Sequence, residues 1–322
     1  MDLITIILGL LGLALIVPAL GDEDGDDEPN EVKGTPEDDE LEGTSGADEI
    51  LGFLGNDIIN GNGGEDILRG SGGEDIITGG ANRDEIYGGA DDDELNGLGG
   101  NDTIEGGGGD DTIDAGEGND IVRAGAGNDV VYGNTGTDTL RGEGGDDDIF
   151  LWGAGGQAVG GFEDDDLIMV TGRGILEGGA DDDVFYALAN DDDEQQTVAI
   201  IRDFNPISQD DEIVMTIDTS DPGALTADLL VEVSEGTING VAGYNVDISF
   251  FNEEDEPGPG QTFEASRVFI YGTSVPPETI VESIRVDVTL NAGLSTEDAQ
   301  ATFDTVKAGA TVPAETMIKP VV

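Results

Sequence analysis

The sequence predicts an all-β protein built chiefly as a two-sided solenoid of short strands, with an apolar helix before it and a β-rich region after it. Three observations carry that prediction. From Gly43 to Phe150 the chain repeats every nine residues, twelve times without a slip. Each repeat holds one aliphatic residue at a fixed position and one aspartate at another. Glycine accounts for 53 of 322 residues and aromatic residues for only 5%, which suits stacked turns better than an ordinary compact core.

Charge narrows the chemistry before any element is placed. The chain carries 73 acidic and 11 basic side chains, a formal charge of −62. Nucleic-acid binding needs clustered cations, whereas Lys33, Lys307 and Lys319 lie far apart, so no nucleic-acid partner is expected. Cysteine and histidine are absent, which excludes disulfides, Cys or His zinc sites, thiol nucleophiles and imidazole-based catalysis. Self-repulsion on this scale destabilises a compact state unless cations are bound.

The elements follow in order. Leu3 to Leu20 is free of charge, and as a helix it would reach roughly 27 Å, close to a bilayer core of about 30 Å. Residues 1–20 therefore read as a membrane anchor or a cleaved signal segment; Ala19-Leu20-Gly21 is a tolerable cleavage site, but no basic residue precedes the apolar run. Residues 21–42 are acidic, contain two prolines and bury little, so they read as a disordered linker. An EF-hand loop is excluded there because Asp27 stands where the loop needs glycine.

In the twelve repeats from Gly43, position 6 is always aspartate: Asp48, Asp57, Asp66, Asp75, Asp84, Asp93, Asp102, Asp111, Asp120, Asp129, Asp138 and Asp147. Position 8 is always Ile, Leu or Val. The register persists through residues 151–186, where Asp165 and Asp183 keep position 6 while Gly156 and Gly174 have lost it; residues 151–177 are the degenerate part. One apolar position in nine fits neither an amphipathic helix nor a long alternating strand. It fits a strand of about three residues followed by a turn, repeated as a solenoid. Glycine at positions 1 and 4 is expected to serve φ > 0, with Asn82 and Asp91 as tolerated replacements at position 4.

In a coil of about eighteen residues per turn, each repeat stacks on the next but one, so the aspartates form a column along each edge at about 4.8 Å spacing. Unneutralised, such a column would cost on the order of 1 kcal/mol per pair even in water. Carboxylates supplemented by turn carbonyls form an oxygen-only donor set, which selects a hard cation and suits Ca²⁺ better than Mg²⁺.

These repeats resemble the RTX (hemolysin-type) nonapeptide G-G-x-G-x-D-x-U-x. The resemblance implies a right-handed parallel β-roll over residues 43–186, with Ca²⁺ between successive turns on each edge. It implies ligands from the position-6 aspartates and from carbonyls at positions 1, 3 and 5. The first interior site would join the turn of Gly43, Ser45, Ala47 and Asp48 to that of Gly61, Gly63, Glu65 and Asp66. The next would join the turn of Gly52 and Asp57 to that of Gly70, Gly72 and Asp75. Twelve repeats imply roughly ten ions on the stacking argument. GGADDDVFY with TVAIIRDFNPISQDDEIVM is similar to the closing segment of secreted RTX proteins, with Asp183, Asp203 and Asp211 at its acidic positions.

Residues 187–322 read as a β-rich C-terminal domain. The runs at Leu229–Val233, Tyr244–Phe250, Val268–Tyr271 and Ile284–Val288 alternate as antiparallel strands do, and Ser295 to Lys307 reads as one helix. The resemblance places a type I secretion signal near the C-terminus. The whole points to an exported, non-enzymatic calcium-binding protein, secreted or tethered at the cell surface through residues 3–20, whose partners besides calcium would be surface or matrix polymers. The alternative makes the roll the secretion and folding module of an enzyme whose active site lies in the C-terminal domain, with carboxylates as its only bases.

Overall fold

A computed structural model of the chain describes residues 5–6, 14–16, 29–190, 197–205, 211–218, 228–238, 241–251, 263–271, 284–289 and 317–320. The regular elements among them are strands. No helix among the described residues is long and apolar enough to cross a membrane. The chain divides into two compact units, Met1–Phe150 and Leu151–Val322.

The first unit is a parallel coil of two sheets. One sheet stacks Asp39–Glu42, Ile58–Asn62, Ile76–Gly80, Glu94–Leu98, Thr112–Asp114, Val130–Tyr132 and Asp148–Leu151. The other stacks Asn30–Lys33, Asp48–Leu51, Ile67–Gly72, Glu85–Ala90, Thr103–Gly108, Ile121–Ala126 and Thr139–Gly144. Every pairing advances eighteen residues: Ile59 faces Ile77 and Leu95 in the first sheet, Leu68 faces Ile86 and Ile104 in the second. Position 8 points inward, so Ile50, Ile59, Leu68, Ile77, Ile86, Leu95, Ile104 and their successors form a continuous core at 0–1% exposure. Positions 7 and 9 flank it and are half-buried or exposed, apart from Phe150 at the end of the twelfth repeat, which is buried.

Each of these aliphatics contributes roughly 1.5–3 kcal/mol by burial. Ile104→Ala is therefore expected to cost about 2–5 kcal/mol in a melt in calcium, while the exposed neighbour Glu105→Ala should cost less than about 0.5 kcal/mol.

The coil begins earlier than the linker reading allows. Asn30–Lys33 and Asp39–Glu42 are strands, Val32 and Leu41 lie in the core, and Asp39 is 1% exposed. The reason is in the residues: Gly34, Asp39 and Leu41 hold positions 1, 6 and 8 of a further repeat, concealed by Pro36 and the surrounding acids. The apolar helix expected over residues 3–20 falls largely outside the described residues. Those that are described are extended instead: Thr5–Ile6 pairs antiparallel with Ala14–Ile16, which pairs in parallel with Asp39–Leu41. An open sheet edge offers these apolar residues backbone partners that a helix would not use.

In the second unit, Ala154–Phe162, Arg173–Gly179 and Thr197–Ile201 stack in parallel, as do Asp166–Met169, Val184–Asn190 and Glu212–Asp218. The step is eighteen residues from Leu167 to Phe185 but widens to Phe185↔Ile213 and Leu176↔Ile201. Asp228–Ile238, Val241–Phe251 and Phe263–Tyr271 form the expected antiparallel meander. Ile284–Thr289 departs from expectation, pairing in parallel with Glu212–Asp218. The long connection between these two strands permits the crossover that parallel pairing needs, which their alternation pattern does not reveal. The helix expected over Ser295 to Lys307 and the C-terminal secretion signal lie outside the described residues, save the short strand Met317–Pro320.

Candidate metal centre

Each turn of the first unit carries its aspartate from solvent to the inside of the bend between two strands. From Asp48 to Asp147 the position-6 side chains are 1–3% exposed. One oxygen of each has a fixed partner: the backbone N–H of Asp57 donates to Asp75 Oδ1, Asp75 to Asp93, Asp66 to Asp84 and Asp84 to Asp102, all at 2.8–2.9 Å. The ladder runs on to Asp147 on one edge and Asp138 on the other. The other oxygen has none. Oδ2 of the ten aspartates from Asp57 to Asp138 is buried without a hydrogen-bond donor.

Glycine at position 1 makes room for that oxygen. A Cβ added at Gly61 would stand 2.6 Å from Asp66 Oδ2 and 2.8 Å from the carbonyl oxygen of Gly79 in the next turn; Gly43, Gly52 and Gly70 stand likewise beside Asp48, Asp57 and Asp75. This corrects the conformational reading of position 1. The left-handed backbone falls at positions 2 and 4, as at Asn62 (φ 69°) and Gly64 (φ 130°), whereas Gly61 is not left-handed. Asp91 adopts φ 75° as expected, but Asn82 does not enter that region. Gly63 and Gly72 lie farther out in the turn: a Cβ at Gly63 would meet only Asn82 Oδ1, at 3.9 Å, and one at Gly72 would meet Leu54.

Burial governs the protonation of these carboxylates. It pushes Asp57, Asp66, Asp75, Asp102 and Asp111 from 3.8 up to about 6, Asp84, Asp93 and Asp138 to about 7, and Asp129 to about 8. Burial raises Asp120 as well. The accepted amide opposes the shift, and neighbouring acids add to it in most of these turns. A buried, donor-less carboxylate oxygen is costly at neutral pH unless a cation meets it.

In the second unit the N–H of Asp165 donates to Asp183 Oδ1 at 3.2 Å. Asp211 then supplies the next rung, although it lies 28 residues further on: its Oδ1 accepts from the N–H of Asp183 at 3.4 Å and its Oδ2 from that of Asn205 at 2.6 Å. Asp203 Oδ1 accepts from the N–H of Gly178 at 3.0 Å. The degenerate repeats differ at Gly174, where an added Cβ would meet Leu151 Cδ2 and Met169 Sδ, so that turn presents apolar atoms where the regular turns present a carboxylate.

Two features escaped the sequence reading. Asp39 belongs to the column, signalled only by its register with Gly34 and Leu41. A second, exposed ladder runs along position 5, where Asn56, Asp110, Asn128 and Asn119 donate their N–H groups to Asp38, Asp92, Asp110 and Asn101 side chains one tier back.

The donors fit calcium. Among the described residues no three acidic side chains gather as a metal cluster. A cation here would therefore take its remaining ligands from turn carbonyls such as that of Gly79, an oxygen-only set of the kind a hard, flexible ion prefers. No curated protein matches the chain. The RTX calcium-binding nonapeptide repeat matches it over residues 33–68, 60–95, 69–104, 87–122, 96–131, 123–154 and 170–193. Residues 33–154 and 170–193, which hold the buried aspartate ladders, are RTX calcium-binding nonapeptide repeats.

Proposed function

We propose that this is an exported, non-enzymatic protein whose roll folds when calcium enters the gaps between stacked turns, and that it works in a surface coat, matrix or adhesion. RTX repeats imply a calcium-binding β-roll, and RTX proteins are typically secreted by the type I route. The observation that carries the folding mechanism is the set of ten buried Oδ2 atoms without donors.

Asp57 to Asp138 would hold the ions through Oδ2, with carbonyls of the facing turn completing the shell. Bound calcium supplies positive charge between carboxylates that otherwise repel. The unfolded chain does not bring these oxygens together, so binding free energy becomes folding free energy. Seven turns from Asp39 to Asp147 leave six gaps on one edge and six turns from Asp48 to Asp138 leave five on the other, so the first unit offers about eleven gaps. The apolar residues 3–20 would tether the protein or be removed, and the acidic exterior left after ion binding keeps it soluble.

Mass spectrometry of the mature protein tests export and tethering together. An N-terminus beginning near Gly21 supports release, and an intact N-terminus in the membrane fraction supports a tether. An intact chain confined to the cytosol overturns the extracellular reading.

A further inference from the structure

We propose that the first turn on each edge of the roll is a calcium-independent cap, and that the threonine following its opening glycine makes it so. The proposal rests on the reading of the other stacked turns as calcium sites and concerns how that binding is started and limited. In the ten turns ending at Asp57 to Asp138, Oδ2 has no donor. In the first turns the same atom is already taken. The N–H of Thr35 donates to Asp39 Oδ2 at 2.5 Å. The N–H and Oγ1 of Thr44 donate to Asp48 Oδ2 at 2.6 and 3.0 Å, and Asn30 Nδ2 donates to Asp48 Oδ1 at 2.8 Å. Asp48 thus has both oxygens satisfied by neutral donors of the protein, whereas Asp39 has only its Oδ2 satisfied and keeps Oδ1 buried without a partner.

The cause lies at position 2. In the next three turns this residue is left-handed, at Phe53 (φ 84°), Asn62 (φ 69°) and Ser71 (φ 89°), and Oδ2 of Asp57, Asp66 and Asp75 receives no bond from its amide. Thr35 and Thr44 do not adopt that backbone, which a β-branched residue disfavours, and their amides turn to the carboxylate instead. A cation set against Asp39 or Asp48 Oδ2 would meet the positive ends of these N–H and O–H groups. Asn30 completes the cap: it stands in the column where later turns have aspartate, and brings a donor in place of another negative charge.

The first tier, Asn30–Lys33 on Asp48–Leu51 and Asp39–Glu42 on Ile58–Asn62, therefore leaves no open Oδ2 for a metal and offers a template on which calcium-dependent turns add one after another. Of about eleven gaps, about nine are left for calcium.

The test uses the full chain. Hydrogen exchange in EGTA is expected to show residues 30–51 protected while residues 97–141 exchange freely, and native mass spectrometry in calcium is expected to count about two ions more on a Thr35→Gly, Thr44→Gly double variant than on the wild type. The same variant should lose the EGTA protection, and Thr35→Val, Thr44→Val, which keeps the β-branch and the backbone N–H donors, should keep most of it. Equal exchange of residues 30–51 and 97–141 in EGTA overturns the cap, as does an unchanged ion count in the glycine variant. A wild type that binds no calcium at all would sink the parent reading, while the exchange pattern in EGTA would still decide the cap.

Discussion

Replacing Asp93 by asparagine is expected to change the stability of the roll in opposite directions with and without calcium. Asp93 is 3% exposed, its Oδ1 accepts the N–H of Asp75, and its Oδ2 has no donor. The Asp93→Asn side chain would keep an acceptor for that amide and remove a buried charge. In EGTA at about pH 8 the variant should gain about 4 kcal/mol, since burial raises the Asp93 carboxyl from 3.8 to about 7 and each unit corresponds to about 1.4 kcal/mol. In calcium the same substitution removes an anionic ligand shared by the gaps on either side, and the roll should lose stability and at least one ion. Far-UV circular dichroism in EGTA should show more β-structure for the variant than for the wild type, and a thermal melt in calcium should show a lower midpoint for the variant. A variant with less β-structure than the wild type in EGTA and a lower midpoint in calcium would mean that Asp93 is a packing residue and not a ligand.

Acid is expected to substitute in part for calcium. These aspartates have folded-state pKa values above the unfolded value of 3.8, so the folded roll binds protons more tightly than the unfolded chain. Their contribution to the metal-free roll is fully present below the unfolded value and is lost as pH rises through about 6 for Asp66, 7 for Asp84 and 8 for Asp129. Circular dichroism in EGTA should therefore show more β-structure at about pH 5 than at about pH 8. With calcium present the order reverses, because protons compete with the ion for the same oxygens. A metal-free chain that gains structure on raising the pH contradicts the placement of these carboxylates.

The repeat made most of the roll legible. An aspartate and an aliphatic spaced two apart, recurring every nine residues, gave both the core positions and the buried column, and the pairing step of eighteen followed from two strands per turn. What stayed hidden had physical causes. Gly34 to Glu42 keeps the spacing but places Glu37 where glycine is usual and adds Pro36, so its composition imitates a solvated linker. Position-1 glycine is needed for space beside the carboxylate and not for its φ, a distinction that only the facing turn reveals. Alternation in Ile284–Thr289 marked a strand but could not choose its partner, since parallel and antiparallel strands share the same two-residue period. The role of Thr35 and Thr44 depends on backbone direction at a single position, which the residue type alone does not disclose.

Far-UV circular dichroism of the full chain at neutral pH, first in EGTA and then in about 10 mM CaCl₂, tests the calcium-driven fold most directly. A largely disordered spectrum that converts cooperatively to β-structure on adding calcium, and returns on chelation, is the predicted result. The same folded spectrum in both solutions would contradict it.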